Sequence, residues 1–231
     1  VFSDPKVLTS ISFTAIFVVV SMILHVILGV ILALILNMKF KRVVQTVLYA
    51  PHFISTMVIC GMIKIFLSPS GGLLNLILGT SVDFLSESTA FRTIYVASGI
   101  WQEAGWGTII YMACLAAVDT SLYEAAKIDG ASMFQRILHI DIPELIPMIV
   151  LQLIMSVGNL MNVGFEKVLL MYTPSNSGVS DIIDTLVYRT GLVSQNYSYA
   201  TAIGLFSGIV GLILVTSSNA VSRKLTGESI Y

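Results

Sequence analysis

Polar side chains recur along one apolar stretch of the chain at a spacing that fits a single helix face. They are Gln152, Ser156, Asn159, Asn162 and Glu166, and the steps between them are four, three, three and four residues. An α-helix brings residues at such steps to one side. Polar side chains inside a membrane are costly and usually face the bundle interior or a water-filled cavity. Amides and a carboxylate suit the hydroxyl groups of a sugar, which both donate and accept hydrogen bonds.

A second polar group, in another apolar stretch, combines indole rings with an amide and a carboxylate: Trp101, Gln102, Glu103 and Trp106. Aromatic faces can stack on sugar rings, so this group could line the same pathway. A structural explanation is also open for each residue. Asn and Gln in membrane helices often bond to neighbouring helices, and Trp101 could be an interfacial anchor. His52 stands alone in the sequence, without the spacing of a metal ligand.

The elements that must position these side chains are membrane-spanning helices. The chain has 231 residues, of which 56% are hydrophobic and 11% are charged, whereas soluble domains carry about 25% charged residues. Crossing the hydrocarbon takes about 20 mainly apolar residues. Five segments meet this requirement and predict an all-α, polytopic helical membrane protein: residues 11–36, 46–67, 94–118, 142–171 and 200–221.

Lysine and arginine set the predicted orientation, because they favour the cytoplasmic side of a membrane. Seven of them lie in the first loop, the third loop and the C-terminal tail, against three in the segments on the other side. This distribution predicts that residues 119–141 and the C-terminus are cytoplasmic, and that the sequence begins outside. A sixth span upstream of Val1 would explain the outside start.

Two shorter segments on the predicted outer side are expected to be surface elements. Turn residues at 70–72 precede an apolar run that is too short to span the membrane. Further along, Ile182, Ile183, Leu186 and Val187 repeat at helical spacing. That repeat predicts a short amphipathic helix on the outer surface.

The loop between the third and fourth spans is much more polar than its surroundings and reads SLYEAAKIDGASMFQRILHIDIPEL. Ser121 followed by Glu124 fits a capping box and predicts a helix over residues 122–128. Gly130 can turn the chain without a steric penalty, and a second helical repeat begins at Met133. The pattern predicts two short helices with a bend between them, lying along the membrane surface as a compact knob.

No pattern in the sequence indicates catalysis or a bound cofactor. There is no H-E-x-x-H metal motif, no G-x-S-x-G nucleophile elbow and no Walker A glycine loop. Cys60 and Cys114 lie within apolar runs, so we expect neither a disulfide nor a metal site. We therefore predict that the chain is not an enzyme and holds no catalytic, cofactor-binding or metal-binding residues. A channel or a secondary transporter for a small polar solute is an open alternative.

The polar loop also carries a resemblance to a known family. Glu124-Ala125-Ala126, Gly130 and Ile140-x-Ile142-Pro143 are spaced like the EAA signature of permease subunits of bacterial ABC importers, with isoleucine at position 142 where that signature has leucine. Asp129 and Ala131 match the form common in carbohydrate permeases. Four further segments resemble the branch that handles oligosaccharides and polysaccharide fragments: QTVLYAPHFIS, EAGWGTIIYMACLAAVD, NVGFEKVLLMYTPSN and YSYATAIGLFSGIVGLILV. The resemblance covers nearly the whole chain.

This resemblance implies that residues 1–231 form the transmembrane permease domain of an ATP-driven sugar importer. Residues 119–141 would be a cytoplasmic coupling-helix loop that fits a groove of a separate ATPase subunit and couples it to alternating access. The implied coupling residues are Glu124, Ala125, Ala126, Asp129, Gly130, Met133 and Phe134. The candidate substrate pathway comprises Trp101, Gln102, Glu103, Gln152, Ser156, Asn159, Asn162 and Glu166.

The resemblance also implies partners in the bacterial plasma membrane, where the chain would be a multi-pass protein. We expect a second, related permease subunit and two copies of an ATP-binding subunit, which would hold ATP and Mg. An extracellular sugar-binding protein would dock near residues 181–188. The substrate would be a sugar, with an oligosaccharide expected, the chain would contact membrane lipid, and no nucleic acid is expected.

Overall fold

The computed structural model describes residues 5–36, 41–158 and 164–226, and all regular structure in these ranges is helical. The α-helices are α1 (Pro5–Leu36), α2 (Lys41–Tyr49), α3 (Thr56–Phe66), α4 (Leu73–Leu78), α5 (Ser88–Ala117), α6 (Thr120–Ile128), α7 (Met133–Arg136), α8 (Ile142–Gly158), α9 (Phe165–Met171), α10 (Ser177–Ser180), α11 (Ile183–Tyr188) and α12 (Tyr197–Thr226). A 3-10 turn, Ala50–Phe53, follows α2, and two π-helical segments, Ile137–Asp141 and Arg189–Val193, follow α7 and α11. The predicted all-helical class is confirmed for these residues.

Two helices in the described ranges are long and apolar enough to cross a membrane, namely Met133–Val157 and Tyr197–Ala220. The count rises to four if each of two bent helix pairs is taken as one span. One pair, Arg42–Phe53 with Thr56–Phe66, bends by 94°, and the other, Thr89–Ala117 with Thr120–Ile128, bends by 69°. The predicted count of five spans is therefore not confirmed by the described residues.

The predicted second span, residues 46–67, is broken by a sharp bend. Pro51 lies in the 3-10 turn, and a proline ring there opposes continuation of an α-helix because it clashes with the preceding turn and lacks an N–H. Ser55 then starts α3 from an extended backbone, and its hydroxyl accepts a hydrogen bond from the Val58 N–H at 3.4 Å. Pro51 and Ser55 thus account for the bend, and neither is visible in a hydropathy value averaged over the whole segment.

The predicted fourth span, residues 142–171, is also interrupted. The helix α8 ends at Gly158, and α9 begins at Phe165 after Gly164, whose backbone is left-handed with φ 46° and ψ 44°. A right-handed helix cannot contain that conformation, which glycine adopts at little cost. A side chain at this position would also meet the Tyr95 hydroxyl, 2.6 Å from an added Cβ.

The contacts divide the chain into two compact units, and the first comprises Val1–Ser21, Ile54–Gly99 and Gly158–Leu214. Its larger core cluster packs α3, α5 and α9 together through Cys60, Leu85, Phe91, Tyr95, Val168, Met171 and Ile182. A smaller cluster joins α11 to α12 through Ile183, Leu186 and Ile203. The backbone N–H of Ile183 also donates to Thr14 Oγ1 at 3.3 Å, which attaches α11 to α1.

The second unit comprises Met22–Phe53, Ile100–Val157 and Val215–Tyr231. Its core packs α1, α5 and α8 through Ala33, Tyr111, Leu115 and Leu145. Glycines let the helices approach closely. A Cβ added at Gly29 would lie 2.9 Å from the Tyr111 ring, and one added at Gly105 would overlap the backbone carbonyl of Leu48. The helix α5 therefore meets α2 backbone to backbone, just before the bend.

Candidate functional site

An aromatic cluster forms where the 3-10 turn meets α5, and we define it as His52, Phe53, Glu103 and Trp106. The His52 and Trp106 rings are stacked with their centroids 4.2 Å apart and their planes 3° from parallel. Phe53 meets the same indole edge-on, with centroids 5.6 Å apart and an 84° angle. The His52 and Phe53 rings of the 3-10 turn thus share one indole of α5 as their common contact.

The carboxylate of the cluster pairs with its imidazole. Glu103 Oε2 lies 2.9 Å from His52 Nδ1, and both side chains are partly exposed. The helix α5 presents Glu103 and Trp106 on one side because they are three residues apart. The close approach of Gly105 to Leu48 holds the turn that carries His52 against that side. The geometry follows from backbone contact rather than from long flexible side chains.

The cluster offers both kinds of contact that a sugar needs. Phe53 is 74% exposed and Trp106 is 41% exposed, so apolar ring surface is available for stacking. The His52 and Glu103 pair supplies a hydrogen-bond donor and acceptor beside those rings. Such a mixture of apolar surface and a few polar groups is typical of a small-molecule site.

The structure brings only part of the predicted pathway together in this cluster. Glu103 belongs to it, whereas Gln102 is buried in α5 and Trp101 is exposed on another side of that helix. Gln152 and Ser156 lie one turn apart in α8, where the Ser156 hydroxyl donates to the Gln152 carbonyl at 2.8 Å. Asn159 and Asn162 lie outside the described residues.

The prediction that one helix carries the whole polar stripe is wrong. Glu166 lies in the first turn of α9, beyond the left-handed Gly164, and its helix is therefore not a continuation of α8. It also belongs to the first compact unit, whereas Gln152 and Ser156 belong to the second. The helical spacing of the polar residues in the sequence therefore extends across Gly164, where the helix itself is broken.

His52 and Phe53 were not predicted as site residues, and the expectation that His52 is isolated is wrong. His52 is 51 residues from Glu103 in sequence, so helical spacing could not connect them. One signal was present: a proline followed by histidine and phenylalanine interrupts an apolar run at residues 51–53. A proline in such a run indicates a bend that exposes the residues beside it.

The polar loop forms a second candidate site, which we call the hook (residues 119–141). The predicted helix over residues 122–128 is present as α6, but it begins at Thr120. Its N-cap is Asp119, whose carboxylate accepts a hydrogen bond from the Ser121 N–H at 2.9 Å. The predicted capping box of Ser121 and Glu124 is therefore wrong, because the cap lies two residues earlier.

The predicted turn at Gly130 is confirmed, with a φ of 72°. The Ala131 N–H donates to the Ala126 carbonyl at 2.9 Å, and the Gly130 N–H donates to the Lys127 carbonyl at 3.2 Å. These bonds satisfy carbonyls at the end of α6 in the manner of a glycine-terminated helix. The turn is thus closed by backbone bonds.

A capping box does occur in the hook, at the start of α7. Gln135 N–H donates to the Ser132 hydroxyl at 3.4 Å, and the Gln135 side chain accepts from the Ser132 N–H at 2.7 Å. The helix then continues through the π segment into α8. The second half of the hook is therefore the foot of a long helix, not the separate surface helix that was predicted.

The hook exposes most of its predicted coupling residues. Glu124, Ala125, Asp129 and Gly130 are exposed, and Ala126 is half-buried. Large apolar side chains are exposed too: Ile128 at 86%, Phe134 at 73% and Met133 at 43%. No side chain of α6 is buried. A protruding helix with apolar and charged residues side by side is a surface suited to a protein partner.

The segment after Gly164 behaves differently, and we call it the return segment (residues 164–193). Asn176 is fully buried, and its amide nitrogen donates to the Leu85 carbonyl at 2.9 Å and to the Met171 carbonyl at 3.1 Å. Arg189 bonds to both the Asp181 carboxylate and the Tyr172 hydroxyl. The short helix predicted from residue 182 to 187 is present as α11, but its apolar residues pack inward.

Comparisons with known proteins place the chain in a family. Residues 25–227 match a family model described as binding-protein-dependent transport system inner membrane component. The chain belongs to this family. It is therefore an inner membrane component by family, as the EAA-like spacing predicted.

Relatives of the chain in this family are named for sugar transport. A Bacillus subtilis (strain 168) protein, "Polygalacturonan/rhamnogalacturonan transport system permease protein YteP", is 42% identical over 196 residues, covering 83% of this chain and 61% of the relative. "Protein LplB" of the same strain is 40% identical and covers 83% of this chain and 62% of its own length. The chain thus spans about three fifths of the length of these relatives.

A solved structure matches the whole described fold. It is a bacterial alginate ABC transporter in complex with an alginate pentasaccharide-bound periplasmic protein, and one of its chains is 35% identical with a TM-score of 0.95. The match covers 99% of this chain and 82% of that chain.

Proposed function

We propose that this chain is the permease subunit of an ATP-driven importer that moves an oligosaccharide across the bacterial plasma membrane by alternating access. The hook is the observation that carries this proposal. A closed glycine turn and two capped helices give it a fixed shape, and its exposed Phe134 and Ile128 lack cover within this chain's described residues. A fixed, protruding shape can transmit a push, whereas a loose loop cannot.

The coupling partner is a separate ATPase subunit that holds ATP and Mg. Glu124 and Asp129 present carboxylates beside the exposed apolar residues of the hook, so the partner's groove would combine apolar surface with a basic group. The small side chains of Ala125 and Ala126 would let the backbones approach. In this arrangement the hook faces the cytoplasm, and the C-terminus lies on the same side.

The substrate is an oligosaccharide, which the aromatic cluster would contact through ring stacking and hydrogen bonds. Relatives named for polygalacturonan and rhamnogalacturonan, and a structure that includes an alginate pentasaccharide, support a polysaccharide fragment. These names direct the choice of test compounds toward short oligogalacturonates and alginate oligosaccharides. A neutral oligosaccharide of the same length is the matched comparison.

The complete importer would contain further subunits. We propose a second, related permease, two ATP-binding subunits and an extracellular sugar-binding protein. None of residues 181–188 is fully exposed, so the binding protein would contact the half-buried Asp184 and Tyr188 rather than the inward apolar face of α11. This placement keeps the proposed dock near residues 181–188 while changing which side chains it uses.

The energy source separates the proposal from its main alternative, a secondary transporter or channel. The complex is reconstituted in liposomes, and uptake of a labelled oligogalacturonate is measured with ATP or with an ion gradient. ATP-dependent uptake with co-purification of an ATPase subunit is expected. Uptake that follows the ion gradient without ATP would refute the proposal.

The coupling role predicts a charge-reversal effect confined to the hook. Glu124→Lys should lower ATP-driven uptake by about tenfold or more, because losing one interface hot spot costs about 2 kcal/mol. Glu87→Lys, another exposed glutamate outside the hook, is the matched control and should leave uptake unchanged. Equal uptake by both variants would remove the coupling role from Glu124.

The pathway role predicts a difference between two tryptophans of α5. Trp106→Ala should raise the half-saturating concentration of the labelled sugar about three- to tenfold, since it removes the ring shared by His52 and Phe53. Trp101→Ala is the control, because it removes the same volume about 140° around the helix. A larger effect at Trp101 would move the pathway away from the aromatic cluster.

A further inference from the structure

The first turns of the hook are tied to the foot of the next long helix by one hydrogen bond. The Tyr123 hydroxyl of α6 donates to Asp141 Oδ1 at 2.6 Å, across 18 residues of sequence. Asp141 is only 5% exposed and is the last residue of the π segment that precedes α8. The bond therefore joins a protruding helix to the point where the long helix begins.

A cation lies on the face of the same ring. The Arg136 guanidinium carbon is 5.6 Å from the centre of the Tyr123 ring, within the range of a cation–π contact. Among the described residues, the buried Arg136 Nε has no hydrogen-bond partner, and the Tyr123 ring is the contact that the structure shows for this guanidinium. The tyrosine is thus held at its hydroxyl and at its face.

The protonation state of the phenol is fixed by its surroundings. Burial and the hydrogen bond to Asp141 raise the pKa of Tyr123 well above its ordinary value. The hydroxyl therefore stays protonated at any physiological pH and remains a donor to the carboxylate. A bond from a neutral donor to a carboxylate is stronger than one between two neutral groups.

The π segment makes this contact dependent on local backbone geometry. An i→i+5 turn carries one more residue than an α turn, so the side chains beyond it are rotated relative to an unbroken α-helix. Ile137–Asp141 forms such a turn and ends at the residue that accepts from Tyr123. Short π segments of this kind are frequent at functional sites.

Little else fixes the direction of α6. It buries none of its side chains, and its two ends are a capped bend of 69° after α5 and a glycine turn. Without a further side-chain bond, these two ends alone would have to hold the angle of α6. Tyr123, which is half-buried, is the residue of α6 with a described side-chain bond to another part of the unit.

We propose that Tyr123 is a positioning residue that makes α6 and the foot of α8 move as one body. This inference rests on the proposed function, since it concerns how a push on the hook reaches the long helix. With the bond intact, displacement of α6 rotates α8. Without it, the same displacement is absorbed by the glycine turn at Gly130.

Spin labels on the two helices test this directly. Labels are placed at exposed positions by Lys127→Cys in α6 and Met155→Cys in α8, on a background with Cys60→Ala and Cys114→Ala. The complete transporter in lipid nanodiscs is compared without nucleotide and after trapping with ATP and vanadate. In the otherwise unchanged protein, the distance between the labels should keep one mean value and a narrow distribution in both states.

Tyr123→Phe should shift that distance between the two states and broaden its distribution. Asp141→Leu, which removes the acceptor, should do the same, so the test does not depend on one variant folding. Asp141→Asn keeps an oxygen acceptor and should restore the narrow distribution. Tyr111→Phe is the matched control, because its buried hydroxyl has no hydrogen-bond partner among the described residues.

The coupling of uptake to hydrolysis gives a second readout. Tyr123→Phe should lower the amount of labelled oligogalacturonate moved per ATP hydrolysed by about tenfold, the loss expected for one hydrogen bond to a charged group. An unchanged ratio with unchanged label distances would overturn the positioning role. If uptake is ATP-driven but Tyr123→Phe changes neither the ratio nor the distances, only the positioning role fails and the proposed function stands. If the unsubstituted protein takes up sugar without ATP, the proposed function itself fails.

Discussion

The hook and the return segment are built from similar short helices, yet they treat their apolar residues in opposite ways. In the hook, Ile128 and Phe134 are 86% and 73% exposed, whereas Met171 and Ile182 of the return segment are almost fully buried. The return segment completes a core of its own unit. No hook residue belongs to a core cluster of the described residues, and most of its large apolar side chains are exposed. The same sequence pattern is therefore packed inside the chain in one place and left exposed in the other.

The largest expected effect comes from truncating one apolar side chain in each region. Met171→Ala should lower the free energy of unfolding by about 2–5 kcal/mol, because it leaves a cavity in the core. Phe134→Ala should change it by about 0.5 kcal/mol or less while weakening binding to the ATPase subunit. Denaturant unfolding of the detergent-solubilised chain gives both values. If Phe134→Ala destabilised the chain as strongly as Met171→Ala, Phe134 would have to pack against this chain and not against a partner.

One left-handed glycine from each region, Gly130 and Gly164, extends the comparison with a smaller effect. Gly130→Ala should cost about 1–2 kcal/mol, the penalty for an L residue in this conformation, since an added Cβ meets open space. Gly164→Ala should cost more, because its Cβ would also lie 2.6 Å from the Tyr95 hydroxyl. The same unfolding measurement compares them.

Tyr95→Phe provides the control for the glycine comparison. Combined with Gly164→Ala it should recover part of the loss, because the clashing hydroxyl is gone, and combined with Gly130→Ala it should recover none. Equal costs at the two glycines would show that the return segment is packed as loosely as the hook.

The smallest expected effect is a loss of stability in the first turn of α6 at acidic pH. The hydrogen bond from the Ser121 N–H lowers the pKa of Asp119, so the carboxylate releases its proton more easily in the folded state. Its contribution to α6 is present above the ordinary pKa of about 3.9 and is lost as the pH falls through the lower, folded-state pKa. Amide-exchange protection in α6, corrected for the intrinsic rate at each pH, should fall in that window.

Asp119→Asn tests the assignment of that acid response. Asparagine caps a helix about as well as aspartate but does not titrate, so protection of α6 in this variant should be independent of pH across the same window. A response that persists in Asp119→Asn would assign it to another group.

Local signals in the sequence were sufficient to predict much of the hook. A helix before Gly130 and a turn at that glycine follow from capping preference and from the lack of a Cβ. The choice between Asp119 and Ser121 as the cap could not be made, because both residue types cap helices and only two positions separate them. The helix could be predicted, but not its first residue.

The sequence alone could not predict which apolar residues are buried or which distant residues pair. Ile128 and Ile182 are both apolar residues at helical spacing, and only the fold decides that one is exposed and the other buried. His52 and Glu103 are brought together by a bend and by a close approach of two backbones. The bend itself left readable signals at Pro51 and Ser55, which an averaged hydropathy over residues 46–67 conceals.

The backbone contact between Gly105 and Leu48 fixes the path of the main chain at the bend but not the side chains that the bend carries. Any side chain at position 105 would push α2, and with it the 3-10 turn that carries His52, away from α5. Gly105 therefore determines the shape of the bend. His52 and Phe53 project from that fixed frame and are partly or largely exposed. Their side chains can therefore be substituted without altering the bend, because the main-chain contact at Gly105 sets its shape.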